Sequence, residues 1–259
     1  MFDISPISAF ADNYIWLLKH ASSSEVAVVD PGDAAPVLER LQYEQLSLGA
    51  ILITHHHHDH TGGISKLKSA FPNAKVYGPA HESIPGITDP LTEGMDILLP
   101  WGADSLKVFD MPGHTAGHIT YSGDGLLFCG DTLFAGGCGR VFDGTMEQMA
   151  ASLQRIAQLP EKTLIYCAHE YTQDNLDFAH WVEPDNQALH ERQKATQTMR
   201  SQGKPTVPSL LSLELETNPF LRTHIPTVIA AAEKWAKILL SDNAAVFTAL
   251  RTWKDRDYD

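Results

Sequence analysis

The residues best suited to chemistry form one short run, His-x-His-x-Asp-His, at positions 55–60. Imidazole nitrogens and carboxylate oxygens are common protein ligands of divalent transition metals. The run offers four such ligands, His55, His57, Asp59 and His60. Four donors on so short a loop are hard to place around one ion with room left for a substrate. Two neighbouring ions, each completed by ligands from elsewhere, fit better, so the run predicts a dinuclear metal site.

The two other histidines of the run, His56 and His58, occupy the x positions, and we expect them to point away from the metals. A purification tag also contains consecutive histidines, but tags lie at chain termini and this run is internal. A solvated polar loop is the other alternative, although such loops rarely hold five histidines without a ligand. We therefore interpret the run as a metal-binding loop.

Three further candidate ligands each follow an apolar run of strand length, as the histidine loop itself follows residues 50–53. They are His114, Asp131 and His169. Asp131 lies beside a glycine at a strand end, where a carboxylate can approach two ions and bridge them. His118 opens the next strand, and we expect a structural role for it. The preceding predicted strands are 106–110, 126–129 and 163–167, the last of which we expect to be the final strand.

Strand and helix patterns elsewhere supply the scaffold for these loops. The helix predicted over 34–45 has apolar residues at core spacing, with Asp33 as its N-cap. Residues 81–96 are rich in Pro, Gly, Thr and Asp and indicate a surface loop. Residues 136–140 indicate a flexible glycine-rich loop without the Lys-Ser/Thr ending of a phosphate-binding loop. Further predicted strands are 15–18, 26–29, 76–79 and 119–121, and further predicted helices are 64–71 and 145–159.

The sequence changes character after Tyr171, where helix-forming segments interrupted by prolines replace the strands. We place a domain boundary near Thr172, which gives a catalytic metal-binding domain over 1–171 and a helical domain over 172–259. The helical segments are 174–202, 209–215, 225–240 and 244–254.

The composition limits the classes of function. The chain has 259 residues, 43% of them hydrophobic, enough for a large core in one or two domains. Its net charge of −13 opposes binding to nucleic acid. Three cysteines without a spacing pattern argue against a disulfide framework and favour a reducing compartment. No secretion signal is apparent, and no apolar run approaches the ~20 residues of a membrane span, so we expect a cytoplasmic protein without a membrane partner. We also expect it to be a monomer.

The four ligand segments, in this order, resemble the metallo-β-lactamase superfamily. The resemblance implies an α/β fold, a four-layer αββα sandwich with a two-metal site at one edge, followed here by a smaller all-α C-terminal domain. The segments are His-x-His-x-Asp-His, Gly-His-Thr-x-Gly-His at 113–118, Gly-Asp-Thr at 130–132 and the late His169.

Further motifs resemble one family within it, the glyoxalase II or hydroxyacylglutathione hydrolase family, over nearly the whole chain. This implies hydrolysis of the thioester S-D-lactoylglutathione to glutathione and D-lactate, the second step of methylglyoxal detoxification. It also implies two divalent metal ions. The mixed nitrogen and oxygen ligands suit zinc, which we expect, and iron or manganese as alternatives. The motifs are Asp-Asn-Tyr-Ile at 12–15, Gly-Asp-Thr-Leu-Phe at 130–134, Gly-Cys-Gly-Arg at 137–140, Ala-His-Glu-Tyr at 168–171, Asn-Pro-Phe-Leu-Arg at 218–222 and Arg-Thr-Trp-Lys-Asp at 251–255.

Carried over by position, the family's metal ligands divide into two sets of three and one shared carboxylate. Asp59 would also orient the attacking hydroxide, which two cations make available at neutral pH by lowering the pKa of a shared water to around 7. Asp30 would steady the loops without binding metal. One ion would be held by His55, His57 and His114, the other by Asp59, His60 and His169, and Asp131 would bridge them.

The family's contacts to glutathione would fall on Arg140, Tyr171, Arg251 and Lys254. The three cations suit the two carboxylates of glutathione. Arg251 and Lys254 have a structural alternative, because cations near a helix C-terminus interact favourably with its dipole. Phe142 stands where some family members have tyrosine, which removes one possible hydroxyl contact to the peptide.

Other activities occur on this fold. A β-lactam hydrolase would usually be exported, and a tRNA-processing nuclease is opposed by the acidic charge. A flavin-coupled diiron oxidoreductase usually has glutamate where this chain has His57. A metal-binding scaffold without turnover is an alternative of another class, and the complete ligand set argues against it.

Overall fold

The structure, a computed structural model, describes residues 2–258. Contacts divide the chain into two compact units. The predicted domain boundary near Thr172 falls inside the second unit and stays a prediction. The first unit comprises Met1–Met111 and Thr115–Gly130, and the second comprises Pro112–His114 and Asp131–Asp259.

The first unit contains a sheet whose six strands lie side by side in chain order. The second strand is antiparallel to both the first and the third, whereas the third to sixth strands run parallel and are connected in part by helices. The elements are β1 (Asp3–Ala9), β2 (Asn13–Lys19), β3 (Glu25–Val29), α1 (Ala34–Glu44), β4 (Ser47–Leu52), α2 (His58–Thr61), α3 (Ile64–Ala70), β5 (Lys75–Pro79) and β6 (Asp89–Leu91).

The central strands of this sheet are buried on both faces, because their sequences are nearly continuous apolar runs. Alternate residues point to the same face, so Ile15 and Leu17 of β2 share one core cluster with Val37 of α1 and Leu67 of α3. Asp33 caps α1 as predicted, by accepting a hydrogen bond of 2.9 Å from a backbone N–H of the first turn.

Four more strands of the first unit form an antiparallel run, and they are β7 (Asp96–Leu98), β8 (Ser105–Asp110), β9 (Ile119–Gly123) and β10 (Leu126–Gly130). The Tyr121 hydroxyl of β9 donates a hydrogen bond of 2.7 Å to the Ile53 carbonyl. The Ile119 N–H donates one of 2.9 Å to the Thr54 carbonyl. Two bonds from β9 therefore anchor the segment that precedes the histidine loop.

The second unit is mostly helical. A capping box between Thr145 and Gln148 begins its first helix, which packs against α9. Its elements are β11 (Leu133–Phe134), β12 (Gly137–Cys138), α4 (Met146–Ala157), β13 (Leu164–Cys167), α5 (Thr172–Val182), α6 (Gln187–Ser201), β14 (Ser209–Leu210), α7 (Leu211–Thr217), α8 (Pro226–Ala236), α9 (Asn243–Trp253) and a π-helical turn, Lys254–Tyr258.

Three expectations about elements are wrong. Residues 81–96 are not all loop, since they contain β6 and the start of β7. Residues 163–167 are not the final strand, because β14 pairs with β13 where helix was expected from residue 209. These strands are two or three residues long, and they depend on a pairing partner that no local pattern reveals.

The glycine-rich segment 136–140 is the third correction, because it is a buried hairpin rather than a flexible loop. Gly136 forms its turn with φ of 72°, a conformation that favours glycine. The fully buried side chain of Asn218 donates hydrogen bonds of 3.3 Å to the Phe134 carbonyl and 2.9 Å to the Gly137 carbonyl. Gly136 therefore allows the turn, and the hydrogen bonds from Asn218, distant in sequence, hold the hairpin in place.

Candidate metal centre and substrate pocket

The buried histidine that opens the metal loop has its tautomer fixed by its neighbour. The Thr54 hydroxyl donates a hydrogen bond of 2.7 Å to an Asp30 carboxylate oxygen, which can only accept. The same hydroxyl lies 3.0 Å from Nδ1 of His55, so it accepts the Nδ1–H. His55 Nε2 is therefore the lone-pair nitrogen, the state that a metal ligand requires.

Of the other three candidate ligands of the loop, one lies beside the His55 ring and two lie in the short helix α2. Nδ1 of His57 lies 3.0 Å from Nε2 of His55. Asp59 and His60 belong to α2, and their Oδ2 and Nε2 atoms lie 3.5 Å apart. Asn13 donates a hydrogen bond of 3.0 Å to Asp59 Oδ2 and so orients that carboxylate. The first unit thus presents its candidate metal ligands as two pairs, His55 with His57 and Asp59 with His60.

Asp30 steadies this loop, as its position led us to expect. Its carboxylate accepts from the Thr54 N–H at 2.8 Å and from the Thr54 hydroxyl, and it lies 3.1 Å from Nδ1 of His60. The residue is buried and has φ of 52°, in the left-handed region that non-glycine residues rarely adopt. Backbone strain of this kind persists where the surroundings over-determine it, often at functional sites.

The second unit brings its three candidate ligands together around one carboxylate. Oδ2 of Asp131 lies 3.4 Å from Nε2 of His114 and 3.4 Å from Nε2 of His169, and all three residues are buried. His114 Nδ1 donates a hydrogen bond of 2.8 Å to the Arg140 carbonyl, which leaves Nε2 as the lone-pair nitrogen. A carboxylate flanked by two imidazoles has the arrangement that a bridging ligand needs.

The donors therefore fit divalent transition metals. Neutral imidazole nitrogens and carboxylate oxygens suit Zn, Fe and Mn. The tautomers of His55 and His114 are set for ligation by hydrogen bonds to a hydroxyl and a carbonyl. His56 and His58, by contrast, are exposed, and His56 lies 3.0 Å from Glu82. His118 is buried and stacks on His55 at 4.9 Å, in keeping with a structural role.

A cavity of about 450 Å³ lies in the second unit, with His114 and Asp131 in its wall. All four residues expected to contact the substrate line the same cavity. These are Arg140, Tyr171, Arg251 and Lys254, and the other lining residues are Phe134, Cys138, Phe142, Asp174 and Asn175.

The three cations of the cavity differ in how firmly they are held. Arg251 is buried, and it donates hydrogen bonds to the Cys138 carbonyl at 3.1 Å and to Asp255 at 2.8 Å. Lys254 is also buried, and its ammonium group lies 3.1 Å from Asp174 Oδ2. Arg140 has 52% of its side chain exposed and lies 3.6 Å from Asp255.

Two aromatic contacts order the wall near the ligands. The ring of Tyr171 stacks on His169 at 4.7 Å with an interplanar angle of 7°, and Phe134 meets both rings edge-on. Phe142 lies edge-on to His114 at 5.3 Å while 63% of its own surface is exposed. Phe142 thus offers the cavity an apolar ring.

Two protein-family models match the chain. The metallo-beta-lactamase superfamily model covers residues 11–169, and a model described as hydroxyacylglutathione hydrolase C-terminus covers residues 170–257. A hydroxyacylglutathione hydrolase of Alkalilimnicola ehrlichii is 56% identical over 256 residues, 99% of this chain and 100% of that one. The chain belongs to the hydroxyacylglutathione hydrolase family. The family expected from the sequence motifs is confirmed.

Solved structures share the fold of this hydroxyacylglutathione hydrolase family member. BLEG-1 B3 metallo-beta-lactamase has a TM-score of 0.63 at 23% identity, over 85% of this chain and 99% of that one. TTHA1623, solved in a di-iron-bound form, has a TM-score of 0.60 at 24% identity, over 83% and 99%. The expected metallo-β-lactamase fold with an added helical C-terminal domain is confirmed. The superfamily match and the His and Asp ligand groups indicate a dimetal centre.

Several residues of the site escaped sequence reasoning. Asn13, which orients Asp59, lies in the Asp-Asn-Tyr-Ile motif at 12–15 that contributed to the family resemblance, so the motif marked it without showing its task. Asp174 and Asp255 pair with cations of the cavity. Asp255 ends the Arg-Thr-Trp-Lys-Asp motif at 251–255, whereas Asp174 lies in no motif and carries no signal of its own. Their partners are set by the tertiary fold.

The cysteines of this hydroxyacylglutathione hydrolase family member are unsuited to nucleophilic catalysis. All three are buried and none forms a disulfide. Burial raises the pKa of the Cys138 thiol to about 11 and that of Cys167 to about 12. Thiols in this state hold almost no thiolate at neutral pH, and thiolate is the reactive form.

Proposed function

We propose that this chain hydrolyses S-D-lactoylglutathione and related S-2-hydroxyacylglutathiones to glutathione and the free hydroxy acid. The observation that carries the proposal is the full-length match, at 56% identity, to an enzyme named for this substrate class. The cavity of the second unit supports it, because two candidate metal ligands and three cations line one wall. The cations suit the two carboxylates of glutathione.

The proposed ligand sets follow the family pattern. Support comes from the lone-pair nitrogens of His55 and His114 and from the position of Asp131 between two imidazoles. Bound there, two divalent ions supply a Lewis acid and acidify a shared water. One ion would be held by His55, His57 and His114, the other by Asp59, His60 and His169, and the Asp131 carboxylate would be shared between them.

The chain's own groups orient the reaction. Asn13 fixes Oδ2 of Asp59, so this carboxylate can accept a hydrogen bond from the attacking water and direct its lone pair. The departing group is the thiolate of glutathione, and a thiol pKa of ~8.5 lets it leave without a strong general acid. No protein nucleophile is needed, in keeping with the raised pKa values of the buried Cys138 and Cys167 thiols.

The substrate peptide is proposed to bind against Arg140, Tyr171, Arg251 and Lys254. The Arg251 fork is already fixed by Cys138 and Asp255 before substrate arrives, so little side-chain freedom remains to be lost on binding. The exposed Arg140 retains more freedom, so its contact would cost more entropy.

Zinc is proposed as the resident ion, with iron or manganese suited to the same donors. We further propose a cytoplasmic monomer without nucleic acid partners. The buried cysteines, none of which forms a disulfide, support a reducing compartment, and the net charge of −13 opposes binding to nucleic acid. Within residues 2–258, no helix is both long and apolar enough to cross a membrane.

The deciding experiment is hydrolysis of S-D-lactoylglutathione, followed at the thioester absorbance, with a β-lactam assayed in parallel and metal content measured. We expect rapid thioester turnover that is lost on chelation, about two metals per chain as in dinuclear hydrolase sites, and no β-lactam turnover. A dimetal protein inert to the thioester would overturn the substrate and leave the fold.

A further inference from the structure

The ammonium group of Lys254 is held between two neighbours. Asp174 Oδ2 lies 3.1 Å from its Nζ, and the ring centroid of Tyr258 lies 5.2 Å away, within the range of a cation–π interaction. The Tyr258 hydroxyl donates a hydrogen bond of 3.0 Å to the Asp174 carbonyl. Tyr258 therefore contacts both members of the Lys254–Asp174 pair.

Tyr258 is itself anchored on α5. Its ring meets Phe178 at 5.5 Å and Trp181 at 5.0 Å, both with steep interplanar angles. The first turn of α5 carries Asp174, so Tyr258 fastens the π-helical turn to the helix that helps to wall the cavity. Lys254 and Asp174 line the cavity, whereas Tyr258 contacts both of them and is not itself a lining residue.

We propose that Tyr258 is a positioning residue for substrate binding. It holds the Lys254 ammonium group toward the cavity, where a carboxylate of the glutathione thioester takes it as a partner. A lysine side chain has four flexible carbons, and a group already held in place loses less freedom on binding. The inference rests on the proposed function, because it assigns a role within the same substrate site.

Two variants separate the contacts of Tyr258. Tyr258→Phe keeps the ring over Lys254 and loses the bond to Asp174, whereas Tyr258→Ala loses both. We expect KM for S-D-lactoylglutathione to rise roughly twofold in the first and roughly fivefold to tenfold in the second, with kcat and metal content unchanged. Trp235→Phe is the matched control, because the Trp235 indole bonds to the same turn through Asp257 at 2.6 Å rather than through Lys254.

A thioester without the glutathione carboxylates, S-D-lactoyl-N-acetylcysteamine, distinguishes positioning from general damage. Positioning predicts that kcat/KM for this compound is the same in wild type and in Tyr258→Ala. An equal loss on both thioesters, or an unchanged KM for the glutathione thioester in Tyr258→Ala, would overturn the inference.

A direct measurement of ligand binding tests the role of Tyr258 independently of the proposed thioester hydrolysis. S-methylglutathione, titrated into the metal-loaded protein by calorimetry, should bind more weakly to Tyr258→Ala than to wild type. If wild type binds it in a Tyr258-dependent way but turns over no thioester, the inference stands and the proposed function fails. Equal affinities for the two proteins, with thioester turnover intact, would overturn the inference alone.

Discussion

His55 and His114 show how single residues prepare the chemistry. Each commits Nδ1 to a hydrogen bond, with the Thr54 hydroxyl in one case and the Arg140 carbonyl in the other. The opposite nitrogen of each ring is thereby ready to ligate, without a change of tautomer when metal arrives. Arg140 thus contributes its backbone to a proposed ligand and its side chain to the cavity.

The Arg140 side chain can be tested without disturbing that backbone bond. Arg140→Gln removes an exposed cation from the cavity wall, so we expect KM for S-D-lactoylglutathione to rise about threefold to tenfold, the range for a partly exposed charge contact. The kcat should stay near the wild-type value. Steady-state kinetics check this, with Arg256→Gln, an exposed arginine on the π-helical turn, as the control. A similar KM in both variants would contradict a substrate contact for Arg140.

Single residues also show where sequence reasoning stops. The ligands could be predicted because donor types recur at fixed spacing after apolar strands. Tyr258 and Asp174 could not, since neither has a motif and their meeting depends on how the π-helical turn packs on α5. The sequence allowed Arg251 either a substrate contact or a structural role near a helix C-terminus. The structure is compatible with both, because Arg251 lines the cavity and also pairs with Asp255.

At the scale of elements, the end of β10 controls the metal loop. Gly130 has φ of 48°, and an added Cβ would lie 2.4 Å from the Thr54 hydroxyl and 2.8 Å from Nε2 of His118. Both neighbours are fully buried and have no room to yield. Only glycine can therefore occupy position 130 without displacing Thr54, the residue that sets the His55 tautomer.

Gly130→Ala should reduce bound metal and lower Tm, because the new methyl group displaces Thr54. Gly125→Ala is a matched control, since its φ of 75° imposes a similar strain while no atom lies within 4 Å of the added Cβ. The control should lose about 1 kcal/mol or less and keep its metal. Metal analysis and thermal unfolding decide the matter, and equal metal loss in both variants would refute the steric explanation.

The helical elements depend on an ion pair at the end of α5. Glu183 accepts hydrogen bonds from Arg222 at 2.7 and 3.0 Å and from the Thr227 hydroxyl at 2.8 Å. Burial opposes ionisation, but the bonds from Arg222 and Thr227 outweigh it, so the pKa of Glu183 lies below its ordinary value. A lowered pKa stabilises the fold above the ordinary carboxyl range and loses this effect as pH falls through the folded value.

Glu183→Gln should therefore lower Tm at pH 7, and the difference from wild type should shrink as pH falls below the ordinary glutamate pKa. Glu191→Gln, on the exposed face of α6, supplies a control with the same change of charge. Thermal unfolding across that pH range measures both variants. A Tm difference that does not change with pH would contradict the role assigned to ionised Glu183.

The elements that the sequence predicted best are long and locally determined, such as α1 with its Asp33 cap. Edge strand β1 has no such signal, because it contains Pro6 and is only partly buried. The β11–β12 hairpin was misjudged because its order comes from Asn218, some eighty residues away. Local patterns fail where an element is defined by its distant partners.

At the scale of the whole molecule, the chain carries a net charge of −13, although three cations line its cavity. The candidate histidine and aspartate ligands lose their arrangement on unfolding, so ions bound to them would stabilise the fold by linkage.

Removal of metal should lower the stability of the protein as well as its activity. We expect Tm to fall on chelation and to return when zinc is restored, with a shift that grows with free zinc concentration. Differential scanning calorimetry measures this directly. An unchanged Tm in protein shown to have lost its metal would argue that these ligands are held by the fold alone.

The buried thiol of Cys138 has a consequence for an enzyme that meets acyl thioesters at every turnover. A thiolate beside the bound substrate would exchange acyl groups with it and become acylated. With its pKa raised to about 11, Cys138 is ionised in only about one molecule in ten thousand at pH 7. Burial thus keeps Cys138 in the unreactive thiol form. Its sulfur atom can pack beside Arg251 in the cavity wall without being acylated by the substrate.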